Sequence, residues 1–302
     1  MKTFVPNYYN EFQCIAEKCK HSCCIGWEID IDDDTNEYYQ SINSPFGKKL
    51  KENIIIQDDC NCFKLSQDER CPFLNENNLC DIILNLSEDA LCQICSDHPR
   101  FRNFYSDRIE IGLGLCCEEA ARIILSQNKM SIIEIDNDNF DSETNDEEKD
   151  FFSWRTDIFK SFSNKEIHIA DRIAIKNETI YSKEILNKYL TLEILDNNWK
   201  KLLEELVDNY NDVKDIELSN QFDNCFEQLL LYFSYRHLAL LLDGKSEQNV
   251  LKFVKTSASV IYSLCQLHTN KFGKLTIDDI IEYSRMYSSE IEYSQDNLDA
   301  LI

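Results

Sequence analysis

Twelve cysteines fall between positions 14 and 117, and only Cys225 and Cys265 follow in the rest of the 302 residues. This crowding constrains the fold more than any other feature. Thiols in such numbers are either oxidised in pairs or gathered on a soft metal, and the redox compartment decides which. The opening residues, MKTFVPNYYN, lack the apolar core of a signal peptide. The longest apolar run, Leu229 to Leu242, is broken by Ser234, Arg236 and His237 and is too short to cross a bilayer. These features predict a cytoplasmic protein without a membrane partner. In that reducing setting, metal ligands or redox thiols are favoured over a secreted disulfide scaffold.

The spacing runs Cys14-x4-Cys19-x3-Cys23-Cys24, then Cys60-x-Cys62, Cys71-x8-Cys80, Cys92-x2-Cys95 and Cys116-Cys117. Four soft thiolates suit zinc or an iron–sulfur cluster, and the supply covers one site or two. The pattern matches neither a zinc ribbon nor the ferredoxin run, so it predicts a metal without naming it. Adjacent cysteines rarely point at one ion, so each such pair offers one ligand and one packing residue, or serves two sites. Cys92-x2-Cys95 also reads as a redox pair. Any of these thiols could instead be a buried, unligated packing group. The compact CxxxCxxC triplet of radical enzymes that use S-adenosylmethionine is missing.

Charge narrows the partners. With 31 basic against 55 acidic residues the chain carries a net charge of −24. A phosphate backbone needs a basic face, so nucleic acid is excluded as a partner. Solubility explains much of this charge, and it would also steer in a lysine-bearing protein surface.

Only 6 glycines and 4 prolines are present, poor material for a turn-rich all-β fold. The expected fold is mainly α: a cysteine-rich metal-binding domain of short irregular elements over 1–133, then an acidic linker over 134–150. A helical bundle over 151–302 completes it. The linker, EIDNDNFDSETNDEEKD, holds nine acids and one lysine. In the first part, GWEIDI (26–31) alternates like a short strand and Thr35 caps a helix with Tyr38, Tyr39 and Ile42. Ser87 starts a helix carrying Leu91, Cys92, Ile94 and Cys95, and Cys117-Glu118-Glu119 opens another. The later helices are Phe151–Phe162, Trp199–Tyr210, a buried central helix over Phe222–Leu242, Val250–His268 and Ile277–Tyr287.

Three stretches carry a family likeness: FQCIAEKCKHSCCIGWEIDID, RCPFLNENNLCDIILNLSEDALCQICSDHPRF and GLCCEEAARIIL. Together with DRIAI near Arg172, YFSYRHL around Tyr235 and YSSEIEYSQDNL, they resemble the flagellin lysine-N-methylase family. The N-terminal half is similar to small cysteine-rich zinc- or iron-chelating domains. Motif by motif, the family's cysteines fall on Cys14, Cys19, Cys23, Cys24, Cys71, Cys80, Cys95 and Cys117, leaving Cys60, Cys62, Cys92 and Cys116 as extras. The resemblance implies methyl transfer from S-adenosylmethionine to lysine ε-amines of flagellin, and a 4Fe–4S iron–sulfur cluster or zinc in the first half.

The residues themselves show no dinucleotide-type glycine turn, since Gly112-Leu113-Gly114 precedes Cys116 rather than a phosphate-binding helix. Lysine attacks only as the neutral amine, and its free pKa is about 10.4, so a proton acceptor and a screened site are needed. Tyr232, Tyr235, Arg236 and His237 share an apolar helix where charge is costly unless paired. With Arg285, Glu290 and Glu292 they are the catalytic candidates, each also readable as an ordinary ion-pair member or solvated face. His98, close after Cys95, reads as a ligand, a group bonded to one, or a loop residue. The alternative function is a non-enzymatic metal- or redox-sensing module, or a zinc-stapled interaction protein.

Overall fold

The computed structural model describes residues 1–57, 59–137 and 143–302. Among them are fourteen α-helices and six strands, so the chain is mainly α as its composition suggested. The strands are β1 (Lys2–Pro6), β2 (Ile54–Gln57), β3 (Cys60–Phe63), β4 (Arg100–Phe104), β5 (Arg108–Leu113) and β6 (Ile132–Asn137). The chain divides into two compact units, one of Met1–Phe12 with Phe101–Ile302 and one of Gln13–Arg100.

These divisions fall elsewhere than at the compositional boundaries, and β1 explains why. It pairs parallel to β5 through Phe4↔Glu110 and antiparallel to β6 through Val5↔Ile133, so the first residues join the long C-terminal unit. The result is a four-stranded sheet ordered β4-β5-β1-β6, which the low glycine count did not foretell. The acidic stretch begins inside β6 and ends in helix Asp146–Phe162, whose first turn uses Asp146, Glu147 and Glu148 against the positive helix end. Its middle, 138–142, lies outside the described residues.

The core of this unit is helix Asp223–His237, buried from Cys225 to Tyr235. Residues that are apolar on every side leave the helix no solvent face, so it must be surrounded. It ends earlier than the apolar pattern predicts, passing into a 3-10 turn at Leu238–Leu241. Asn103 accounts for the stop: its Nδ2 donates to the carbonyls of Tyr235 (3.1 Å) and Arg236 (3.3 Å). Two buried ion pairs lock the flanking helices. Arg155 grips Glu110 of β5 in a bidentate fork at 2.6 and 2.7 Å, and Arg172 meets Glu227 at 2.7 Å. The 26-residue helix Glu247–Phe272 ends at Gly273, whose φ of +69° suits only glycine without strain.

The unit Gln13–Arg100 is built of short pieces around Ile29, Ile31, Tyr39, Leu50, Phe63, Phe73 and Ile82. Asp32, not Thr35, caps helix Asp33–Ser41: Oδ1 accepts the Thr35 N–H at 3.0 Å. Its Oδ2 accepts the Gln93 N–H at 2.7 Å, which starts helix Gln93–Asp97 after Cys92 rather than at Ser87. Ser87 precedes a single 3-10 turn, Glu88–Ala90. GWEIDI forms no full strand; residues 29–31 only bridge to β3, through Ile31 N–H to Asn61 (2.7 Å) and Phe63 N–H to Ile29 (3.1 Å). No helix of the described residues is long and apolar enough to cross a membrane.

Candidate active site and thiol cluster

Arginine and glutamate are costly in an apolar interior unless they meet, and here they do. Ser288–Glu292 forms a π-helical turn, a local irregularity concentrated at functional sites. It turns Glu292 inward until the side chain is fully buried. Its Oε1 lies 2.6 Å from His237 Nε2 and 3.4 Å from Arg236 Nε, while Tyr232 donates its hydroxyl to Oε2 at 2.8 Å. Arg236 also donates to the Tyr232 hydroxyl at 2.9 Å, and its guanidinium lies between the rings of Phe101 (4.8 Å) and Tyr293 (5.0 Å). Tyr232, Arg236 and His237 reach one carboxylate because positions i, i+4 and i+5 straddle one side of the helix.

The electrostatics follow from burial. Desolvation opposes the Glu292 charge, but Arg236 and His237 overcome it and hold the carboxyl below its ordinary value. Desolvation depresses the His237 imidazolium despite Glu292, which favours the neutral ring. The ring is fixed between Phe233, stacked at 6.4 Å, and the edge of Phe253 at 5.0 Å.

A cavity of about 360 Å³ opens over His237, Glu292 and Arg236. Its walls include Phe101, Leu240 and Leu298, and Arg102, Asp243, Lys245 and Asp299 bring charges of both signs. Gly112 sets one wall: a Cβ there would lie 2.3 Å from the Phe101 ring, so glycine lets that ring settle over β5. Gly112 therefore serves packing.

The other candidates lie elsewhere. The Tyr235 hydroxyl is spent on the Phe4 (3.4 Å) and Ile111 (3.3 Å) carbonyls, tying the central helix to the sheet. Arg285 pairs with Glu282 one turn back at 2.7 and 3.0 Å. Glu290 accepts the Leu195 (2.9 Å) and Asp196 N–H groups, and burial pushes its carboxyl up to about 7. Sequence reasoning had no handle on Phe101, Asn103, Asp243 or Asp299, which only folding brings to the cavity.

In the cysteine-rich unit Cys24, Cys71, Cys80 and Cys95 pack on one apolar cluster, and the fourteen cysteines form no disulfide. The Cys71 N–H donates to Cys24 O at 2.8 Å, which brings two distant segments together. Burial pushes the Cys71 thiol up to about 12, helped by Cys24 and Cys80. Cys95 is raised first by the neighbouring Cys92 thiol, then by burial, with Cys24 and Cys71 adding to it. A hydrogen bond from Cys23 brings Cys24 down to about 7. Cys92, read as an extra, is fully buried beside them. Cys14 is exposed and accepts the Ala16 N–H, while Cys19 and Cys23 are half-buried. Cys117 belongs to the other unit, at the start of helix Glu118–Ser126. His98 is half-buried, and desolvation takes its imidazolium down to about 4.

Among the described residues, the donor group whose ligand atoms converge holds none of the family-matched cysteines. Glu28, Asp30 and Cys62 place ligand atoms within 4.8 Å of one another. The alternation of GWEIDI, with Glu28 and Asp30 two residues apart on one strand face, was the available signal.

Residues 105–302 match the FliB lysine N-methylase C-terminal domain, a stretch holding the Glu292–His237 pair and most of the cavity wall. The flagellar biosynthetic protein FliU of Salmonella muenchen is 32% identical over 127 residues, 40% of this chain and 75% of that protein. Lysine-N-methylases of Salmonella typhimurium and Salmonella choleraesuis are each 30% identical over 136 residues, 43% of this chain. That match spans only 34% of either methylase. No solved structure matches the chain. A domain model covering most of the chain, and a relative matched over three quarters of its length, show that this protein belongs to the flagellin lysine N-methylase family.

Proposed function

We propose that this protein methylates lysine ε-amines of flagellin with S-adenosylmethionine as donor. The match of residues 105–302 to a lysine N-methylase domain carries the reading. The fold supports it by supplying, in that stretch, a cavity over a neutral histidine held by a buried carboxylate. Such a floor suits proton transfer from an amine that must lose its charge before it attacks. The test is incubation of the protein with purified flagellin and isotope-labelled S-adenosylmethionine, followed by mass spectrometry of the lysines. Label on flagellin lysines is the expected result, and unmodified flagellin refutes the reading.

The cysteine-rich unit is proposed to hold a 4Fe–4S cluster, with zinc as the competing occupant. Four thiols from four chain segments on one apolar cluster fit such a centre in number and softness. Cys24, Cys71, Cys80 and Cys95 would hold it. Bound there, the centre supplies a cationic cross-link that favours the thiolates burial otherwise keeps protonated. Iron, sulfide and zinc analysis of protein purified without oxygen distinguishes the two. The other family-matched cysteines of this unit, Cys14, Cys19 and Cys23, are proposed as further ligands or supports of a second centre, tested by the same metal count after their replacement by serine.

A further inference from the structure

The family assignment leaves open where the reacting amine sits. The cavity combines three features that seldom coincide. Its walls carry apolar Phe101, Leu240 and Leu298, its lining includes the carboxylates Asp243 and Asp299, the latter 3.8 Å from Lys245, and it opens over His237 and Glu292. A lysine side chain has a matching profile, four methylenes ending in a cation. His237 is bonded at Nε2 to Glu292, so when that nitrogen carries the proton Nδ1 keeps the lone pair. Glu292 is itself fixed by Tyr232 and Arg236, and the ring by Phe233 and Phe253. A base oriented by a carboxylate, itself held by further groups, is the arrangement of general-base sites.

We propose that this cavity receives the acceptor lysine, its methylenes along Phe101, Leu240 and Leu298 and its nitrogen at His237, which takes the amine proton. The proposal rests on the lysine-methylation reading and assigns its acceptor site. The ammonium gives one proton to His237, and the freed lone pair bonds to the methyl carbon of a sulfonium donor. The carbon–sulfur bond breaks with its electron pair going to sulfur, which leaves as a neutral thioether. The methylated nitrogen keeps the positive charge, and His237 returns its proton to water. The charged groups around His237 are Glu292 and Arg236 beside it and Arg102, Asp243, Lys245 and Asp299 around the cavity; the helix Glu247–Phe272 presents the uncharged Phe253.

The full chain is assayed with flagellin and labelled donor as wild type, His237→Gln and Leu240→Trp. Glutamine can still hydrogen-bond Glu292 but cannot accept the proton. His237→Gln is expected to lower kcat roughly 10²–10⁴-fold with little change in KM, and to abolish the acidic limb of the pH profile. Leu240→Trp fills the cavity and is expected to raise KM for flagellin. Wild-type activity and pH profile preserved in His237→Gln overturn the proposal, since a purely structural histidine gives that result. If His237→Gln does not fold, an unchanged KM in Leu240→Trp overturns it instead. A wild type that transfers no methyl sinks the methylation reading, and n-butylamine then decides the cavity. This lysine side-chain mimic is expected to shift the His237 imidazole resonances, and the absence of a shift overturns the site.

Discussion

Replacing Glu292 by glutamine separates charge from shape at the centre of the candidate site. The side chain keeps its volume but Arg236 loses its counter-ion while remaining buried. At the observed 3.4 Å and an effective dielectric constant of about 20, the attraction lost is about 5 kcal/mol. Desolvating the carboxylate no longer costs anything in the variant, which offsets part of that loss. Removing one partner of a buried pair accordingly costs about 3–5 kcal/mol, a large fraction of a typical stability of about 5–15 kcal/mol. Urea unfolding followed by circular dichroism measures the cost as a shift in midpoint at constant slope. Adding Arg236→Met removes the stranded cation and is expected to recover part of the loss, less the guanidinium's contacts with Phe101 and Tyr293. A Glu292→Gln variant within about 1 kcal/mol of wild type would refute the reasoning. So would a double variant as costly as both single changes added, because independent sites add and a coupled ion pair does not.

Three further outcomes are expected. Gly112→Ala drives a methyl group into the Phe101 ring and costs about 1–3 kcal/mol by overpacking, readable as a lowered urea midpoint. Arg285→Ala, by contrast, removes a pair one helical turn apart and leaves the unfolding free energy within about 1 kcal/mol of wild type. Glu290 binds its proton more tightly folded than unfolded, so its contribution is complete below about 4.3 and is lost as pH rises through about 7. Urea stability should therefore decline between pH 5 and 8 in the wild type and decline less in Glu290→Gln.

Helix existence was legible because apolar periodicity is written locally. Ile277–Tyr287 has the bounds its pattern predicts, and Thr276 with Asp279 closes a capping box at its start. Ends set by distant residues were not legible. Asn103 stops the central helix from 132 residues away, and Asp32 caps a second helix from 61 residues away. The sheet was hidden for the same reason: β1 has no strand partner nearby in sequence and meets β5 and β6 only after more than a hundred residues.

The same distinction explains the site. Arg236 and His237 stood out because charge in an apolar helix calls for a partner, and that argument needs no structure. Which acid answers cannot be read from sequence, since Glu290 and Glu292 stand two residues apart in one short stretch. The π-helical turn decides: it sends Glu290 to the backbone N–H groups of Leu195 and Asp196 and Glu292 to His237. Residues two apart on a regular helix face away from each other, so on a surface helix one of the two would be solvated. Both are buried here because each finds its own partners, and of the two Glu292 lines the cavity. Restoring regular helical geometry over Ser288–Glu292 would change the direction in which Glu292 leaves the backbone, so the contact with His237 depends on the irregular turn as well as on the histidine.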